Sequence, residues 1–289
     1  MDGVHLKRAL DDLYDRYNHR RFVDPDPLVF LYGYEDVRDR EVAALIASSL
    51  AFGGVKQIMS SVEKVLGVMG GSPASFLLGQ DGRDIERTFS GFRHRWATGC
   101  ELSGMMSGIK WIMENHGSVE AAFVSGMDES DEDTFAGLTH LAGILYERSP
   151  ERIDCLIPAP GRGSACKRLH LFLKWMVRKD RVDPGGWTGV PASKLLIPLD
   201  VHMHRFARSM GLTSRAQGDM KTVREVTARL REFAPEDPVR YDFSLTRLGI
   251  RRDRDREMQL SRLGIVLSGD GRAKMSAGPG HGRAGKVEG

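Results

Sequence analysis

Apolar positions fall at helical spacing almost from the start of the chain. Leu6, Leu10, Leu13 and Tyr17 make one stripe, which Pro25 and Pro27 close. Asp39-Arg40-Glu41 reads as the opening of a second helix, carried by Val42, Leu45, Ile46 and Leu50 as far as Gly53-Gly54. Ile58, Val62, Val65 and Leu66 share a face over residues 55–68, and Gly70-Gly71-Ser72-Pro73 both stops that helix and supplies the next cap. Leu102, Met105, Met106, Ile109, Ile112 and Met113 repeat the pattern up to Asn115, where Gly117 ends it. The acidic stretch Asp128 to Asp133 is a solvated loop or the start of a helix over Phe135 to Tyr146. No sustained period-two alternation is present, so the pattern predicts an all-α chain.

In the second half, Leu156 to Ser164 is dense in turn formers, and Leu169, Phe172, Leu173, Met176 and Val177 then form another amphipathic helix. A connection through Asp183-Pro184-Gly185-Gly186-Trp187 leads to a helix starting near Asp200, with Met203, Phe206, Ala207 and Met210 on its apolar stripe. Residues 223–233 and 241–250 supply two more, separated by Pro235-Glu236-Asp237-Pro238. The alternating charges from Arg251 to Arg256 suit a solvated helix. Beyond Leu267 too few apolar residues remain to offset chain entropy. We expect one helical domain over residues 1–267 and a disordered, basic, Gly-rich tail over 268–289.

Composition narrows the picture modestly. A net charge of +3 from 42 basic and 39 acidic residues neither demands nor forbids a polyanionic partner. Cys100, Cys155 and Cys166 lack the spacing of a zinc or iron–sulfur site, and no signal peptide is visible, so a cytoplasmic protein is expected. No apolar run reaches the roughly 20 residues of a membrane span.

Two residues carry the candidate chemistry. Lys167 opens the helix after the turn-rich segment, and an uncharged amine can attack carbon. Asp200 follows Pro198 at the mouth of a helix, where it reads as an N-cap; a cap also fixes a carboxylate in place, as an electrostatic stabiliser requires. An amine and a carboxylate on two helix ends can converge on one cleft, the minimum equipment for removing a base from DNA through a Schiff base. Pro160-Gly161-Arg162-Gly163 is either an ordinary turn or a set of backbone amides for a phosphate. Asp200, His202 and His204 would share a face on a strand and could then hold a metal; on a helix they do not converge, and the helical pattern downstream leads us to expect no metal. Arg93, His94, Arg95 and Trp96, with Arg168, Lys174, Arg178, Arg205 and Arg208, supply basic groups in aromatic company, for phosphates or simply as charged helix faces.

On these residues the chain resembles the helix-hairpin-helix DNA glycosylase superfamily, the group of endonuclease III and the 8-oxoguanine glycosylases. The matching motifs are the PGxG of Pro160 to Gly163, the lysine Lys167, and Leu199-Asp200-Val201-His202-Met203. Residues 39–66, with Leu45 to Leu50 and Gln57, are similar to that family's first core helices, and the resemblance spans roughly residues 27–250. The phrases DPLVFL, GSACKRL and IPLD-x-H-x-HR also resemble a bacterial DUF2400-like family. Lys167 lies six residues beyond Gly161, further than in the usual hairpin. The four-cysteine cluster loop of endonuclease III is absent, so no iron–sulfur cluster or other cofactor is expected.

The resemblance implies a two-lobed fold with an inter-lobe cleft, its hairpin at about residues 156–167, that receives a nucleotide turned out of the duplex. It implies base-excision repair by a bifunctional glycosylase and AP lyase: Lys167 as nucleophile, Asp200 as stabiliser, and 8-oxoguanine as first substrate, since the lysine spacing and missing cluster look like the archaeal 8-oxoguanine enzymes. It assigns DNA contacts to Pro160, Gly161, Arg162, Gly163, Arg168, His202 and Arg205. Gln57 becomes a pocket residue, as does Asp242, whose neighbourhood Tyr241-Asp242-Phe243-Ser244 resembles the archaeal base pocket. The expected partner is damaged double-stranded DNA, bound by a nucleoid-associated monomer with no membrane contact. A non-catalytic DNA-binding module and a metal-dependent nuclease are the alternatives.

Overall fold

The computed structural model describes residues 3–250, 254–267 and 273–275. Among them the chain runs through thirteen α-helices: α1 (Gly3–Tyr17), α2 (Val37–Ser49), α3 (Val55–Met69), α4 (Pro73–Gly79), α5 (Gly82–Phe89), α6 (Gly99–His116), α7 (Val119–Val124), α8 (Phe135–Arg148), α9 (Lys167–Val177), α10 (Val201–Ser209), α11 (Met220–Arg231), α12 (Asp242–Ile250) and α13 (Arg254–Arg262). Between α5 and α6 lies a two-residue hairpin, β1 (Arg93–His94) with β2 (Ala97–Thr98), antiparallel. Of the stretch expected as a tail, only β4 (Ala273–Met275) is described, paired antiparallel with β3 (Ile265–Leu267); the rest lies outside the described residues. The all-α expectation holds, since neither strand pair closes a sheet.

Helix α2 is the centre of the packing. Every residue from Val42 to Ser49 is buried, three of them alanines that let neighbours approach on all sides. Its longest contact is with α9, which buries Phe172, Leu173, Trp175 and Met176. That pairing sets the C-terminal turn of α2 beside the first turn of α9, and the cleft described below opens there.

The acidic residues at the head of α2 do something the pattern did not suggest. The helix is capped by Asp36, whose side chain accepts from the Arg38 amide. Asp39 instead takes the Ala74 amide and the Ser72 hydroxyl, both at 2.8 Å, and so caps α4. Glu41 accepts from the amides of Val119 and Glu120 and from the Trp187 indole, holding α7 against the core. Burial pushes the Glu41 carboxyl up to about 7.

Helices α4 and α5 and the β1–β2 hairpin fall between the stripes read from sequence, each too short to build a recognisable period. Helix α6 begins earlier than its apolar stripe: Thr98 and Glu101 form a capping box ahead of Gly99. Gly99 has a steric reason, because a Cβ there would lie 2.0 Å from the Phe89 carbonyl oxygen.

Candidate active site

The first turn of α9 and the N-cap of α10 face each other. Lys167 Nζ lies 3.4 Å from Asp200 Oδ2, with the lysine side chain 36% and the aspartate 23% exposed. The other carboxylate oxygen, Oδ1, accepts from the Met203 amide at 2.7 Å, so Asp200 is the N-cap its sequence context predicts, and the helix fixes its position.

The pair sits on the wall of an open cleft of about 400 Å³. One side is built by Pro25, Asp26 and Pro27, another by Ala51 and Gly53 of the α2–α3 turn with Val55 and Ile58 of α3. Leu171 of α9, His202 of α10 and Thr246 and Arg247 of α12 complete it. Arg247 donates to Asp26 Oδ2 at 2.5 Å and to the Phe22 carbonyl, while Asp26 Oδ1 takes the Leu28 amide. A smaller recess of about 70 Å³ continues from Lys167 and Asp200 inward to Lys174, Trp175, Phe243 and Asp242. Behind it, Lys174 is sealed between Asp242 (3.1 Å) and Asp183 (3.4 Å). Arg178 adds ion pairs with Asp180, Asp183 and Asp237. Burial alone would lower the Lys174 ammonium, but Asp183 and Asp242 outweigh it and hold its pKa above the usual lysine value. Asp242 and Asp183 are raised by burial against the pull of Lys174.

Several expected site residues stand elsewhere. The resemblance makes Arg168 a DNA contact; its guanidinium is turned inward, where Nη1 donates to the carbonyls of Ser49 (2.6 Å) and Cys155 (2.7 Å) and the group lies over Phe52. Lys174 and Arg178, read among the basic groups for phosphates, are spent in the buried network. Asp242 does reach the recess beneath the cleft, as the counter-charge of Lys174. Gln57 is exposed and not part of the cleft wall; its neighbours Gly53, Val55 and Ile58 are.

His202 lines the cleft mouth, and Arg205 is exposed one turn further along α10. His204 Nε2 lies 3.0 Å from the Arg215 carbonyl, so His204 does not join Asp200 and His202. No group of three metal-binding side chains converges among the described residues.

Pro160 is buried while Gly161, Arg162 and Gly163 are exposed, and none of the four lines the cleft. Of residues 156–167, expected as the hairpin, all but Lys167, the first residue of α9, lie within the connection between α8 and α9. Helix α8 ends at Arg148, and residues 149–166 hold no α-helix, only a turn closed by Ile153, a 3-10 turn at Pro160–Arg162 and a single bridge from Ser164 to Asp219. Pro150, Pro158 and Pro160 keep a helix from forming across it. Cys166, in left-handed conformation (φ 45°), then turns the chain into α9.

The residues sequence reading missed are Asp26 and Arg247, which sit in segments whose pattern gives no sign that they meet. A further surface depression of about 500 Å³ between α8 and α11 holds Asp133 and Arg224, already paired with each other at 2.8 Å.

A family model described as "Protein of unknown function (DUF2400)" matches residues 26–251, a span that takes in nearly every wall of the cleft. The chain belongs to the DUF2400 family. In this DUF2400 protein the matched span covers α2 to α12, so the central α2–α9 pair and the cleft are features of the family region. No curated protein and no solved structure matches the chain. No helix among the described residues is long and apolar enough to cross a membrane.

Proposed function

We propose that this DUF2400 protein is a DNA glycosylase with AP lyase activity, built on a two-lobed helix-hairpin-helix scaffold and acting on an oxidised purine, 8-oxoguanine first. One observation carries the reading: an amine and a capped carboxylate 3.4 Å apart on the wall of an open cleft of about 400 Å³, within the size range of small-ligand sites. The same two residues are the ones the glycosylase motifs single out.

The chemistry follows from their placement. A nucleotide turned out of the duplex enters the cleft with C1′ of its sugar within reach of both Nζ and the carboxylate, the amine swinging off Asp200 to meet it. Lys167 Nζ forms the bond to C1′ as the glycosidic bond breaks and the base leaves with the electron pair, taking up the proton that the attacking amine releases. Asp200 stabilises the positive charge that develops on the sugar. Ring opening gives an imine; loss of a C2′ proton expels the 3′ phosphate by β-elimination, and water then hydrolyses the imine and returns the amine. Because α10 holds Asp200 by its Met203 amide, the carboxylate needs no rearrangement during the reaction.

A panel of lesion-bearing duplexes tests this. Wild type should nick the 8-oxoguanine strand, Lys167→Gln should lose nicking, and Asp200→Asn should slow it by on the order of 10²–10³. A wild-type protein that nicks none of the panel contradicts the proposal.

A further inference from the structure

The hairpin between α5 and α6 is fastened unusually well for two two-residue strands. His94 is buried with both ring nitrogens engaged, Nδ1 with the Ser61 hydroxyl (2.8 Å) and Nε2 with the Phe52 carbonyl (2.9 Å). The strand is thereby pinned to α3 and to the α2–α3 turn, and its own turn residues point outward.

Trp96 is 59% exposed yet not loose, since its ring stacks on Phe52 with centroids 5.4 Å apart and planes at 24°. The Arg95 guanidinium lies 4.6 Å from the Trp96 ring centre. Phe52 is backed in turn by the edge of His94 and by the anchored guanidinium of Arg168. Gly53, next to Phe52, is a cleft-wall residue, and a Cβ there would come within 2.8 Å of Arg95 Cδ. The hairpin turn therefore overhangs the mouth of the Lys167–Asp200 cleft. Val55, also exposed, is part of the cleft wall, and the exposed Val201 follows Asp200 in the chain. Arg95 is exposed beside Gly53, and Arg93 and Lys56 are exposed on the same hairpin and on the first turn of α3. An outward-facing indole stacked on a fixed ring, with one guanidinium over it, has the chemistry of a surface that stacks a base and neutralises its phosphate.

We propose that Trp96, stacked on Phe52, is a base-stacking platform that receives the face of a nucleobase in the DNA lying over the cleft, beside the nucleotide that enters it. The inference rests on the reading of the cleft as a DNA site and adds the element that grips the strand. Arg168 then has a positioning role, holding Phe52 beneath the indole from its two carbonyl anchors.

The test uses a duplex carrying a tetrahydrofuran abasic analogue, which cannot form an imine, so binding is read apart from catalysis. Trp96→Ala should bind this duplex on the order of 10- to 100-fold more weakly, and Trp96→Phe should stay within a few-fold of wild type. Binding should also quench wild-type tryptophan emission and leave that of Trp96→Phe nearly unchanged, because Trp175 and Trp187 are buried and Trp111 is half-buried. Matching circular dichroism and melting curves establish that the variants are folded. If Trp96→Ala binds like wild type, or emission ignores the DNA, the platform is overturned even where strand nicking persists. A wild type that binds and is quenched but never nicks retains the platform and loses the lyase reading. Failure to bind any duplex overturns both.

Discussion

Helix α9 carries two lysines about 10 Å apart along its axis, and the structure treats them oppositely. Lys167 stands at the open edge of the cleft, 36% exposed, with one carboxylate 3.4 Å away. Lys174 is 2% exposed and held by two carboxylates that are themselves sealed. The residues are chemically the same; what differs is how many fixed charges surround them and whether water can reach them. A buried cation between two anions is committed to structure, because losing it strands the partners in a medium that solvates them poorly. A half-exposed lysine with one partner contributes little to folding, and its amine is within reach of a bound substrate.

The sharpest way to break the comparison is to remove the sealed lysine. Lys174→Met should lower the unfolding free energy by about 3–5 kcal/mol, read from urea denaturation, and adding Asp242→Leu should recover part of the loss. A Lys174→Met protein as stable as wild type would remove the contrast.

Between the two lysines lies His170, fully buried with no hydrogen-bond partner on either ring nitrogen. Burial pushes its pKa down to about 4, against an ordinary value of 6.5. Between those values the unfolded chain binds more protons, so this residue's contribution to stability is whole above pH 6.5 and is lost as pH falls to about 4. The loss is about 3 kcal/mol over that window. Glu41 works in the opposite direction: its raised pKa favours the folded state at low pH, and that stability fades as pH rises from 4.5 to about 7. The two slopes oppose each other in wild type, and His170→Leu should remove one of them, visible as stability that rises less steeply with pH between about 4 and 6.5 than in wild type.

Arg168 tests whether inward anchoring or phosphate contact is its role. Arg168→Met leaves the Ser49 and Cys155 carbonyls without their donor and should cost about 2 kcal/mol of stability, measured by thermal melting. An unchanged melting curve paired with weakened DNA binding would favour the phosphate role. The smallest expected change belongs to Lys167→Gln, under about 1 kcal/mol in denaturation.

The central stripes were legible because burial on one helix face writes a period into the sequence, and so was the Asp200 cap, which needs only a short polar side chain ahead of an apolar stripe. Asp39 and Glu41 show the limit. Acidic residues in a helix's first turn normally serve that helix, and only tertiary packing reveals that these two cap α4 and α7. Arg168 and Lys174 show it again, since periodicity marks a face and cannot say whether a long side chain folds inward. Asp26 and Arg247 meet across the cleft from opposite ends of the chain, so no local pattern announces them.

The account's central claim is that the Lys167 amine is the nucleophile of the cleft. Borohydride reduction of wild type with an 8-oxoguanine or abasic duplex, followed by peptide mass spectrometry, tests it directly. The claim predicts a covalent adduct on the peptide containing Lys167 and none with Lys167→Gln. No adduct, or one that maps to a different lysine, contradicts it.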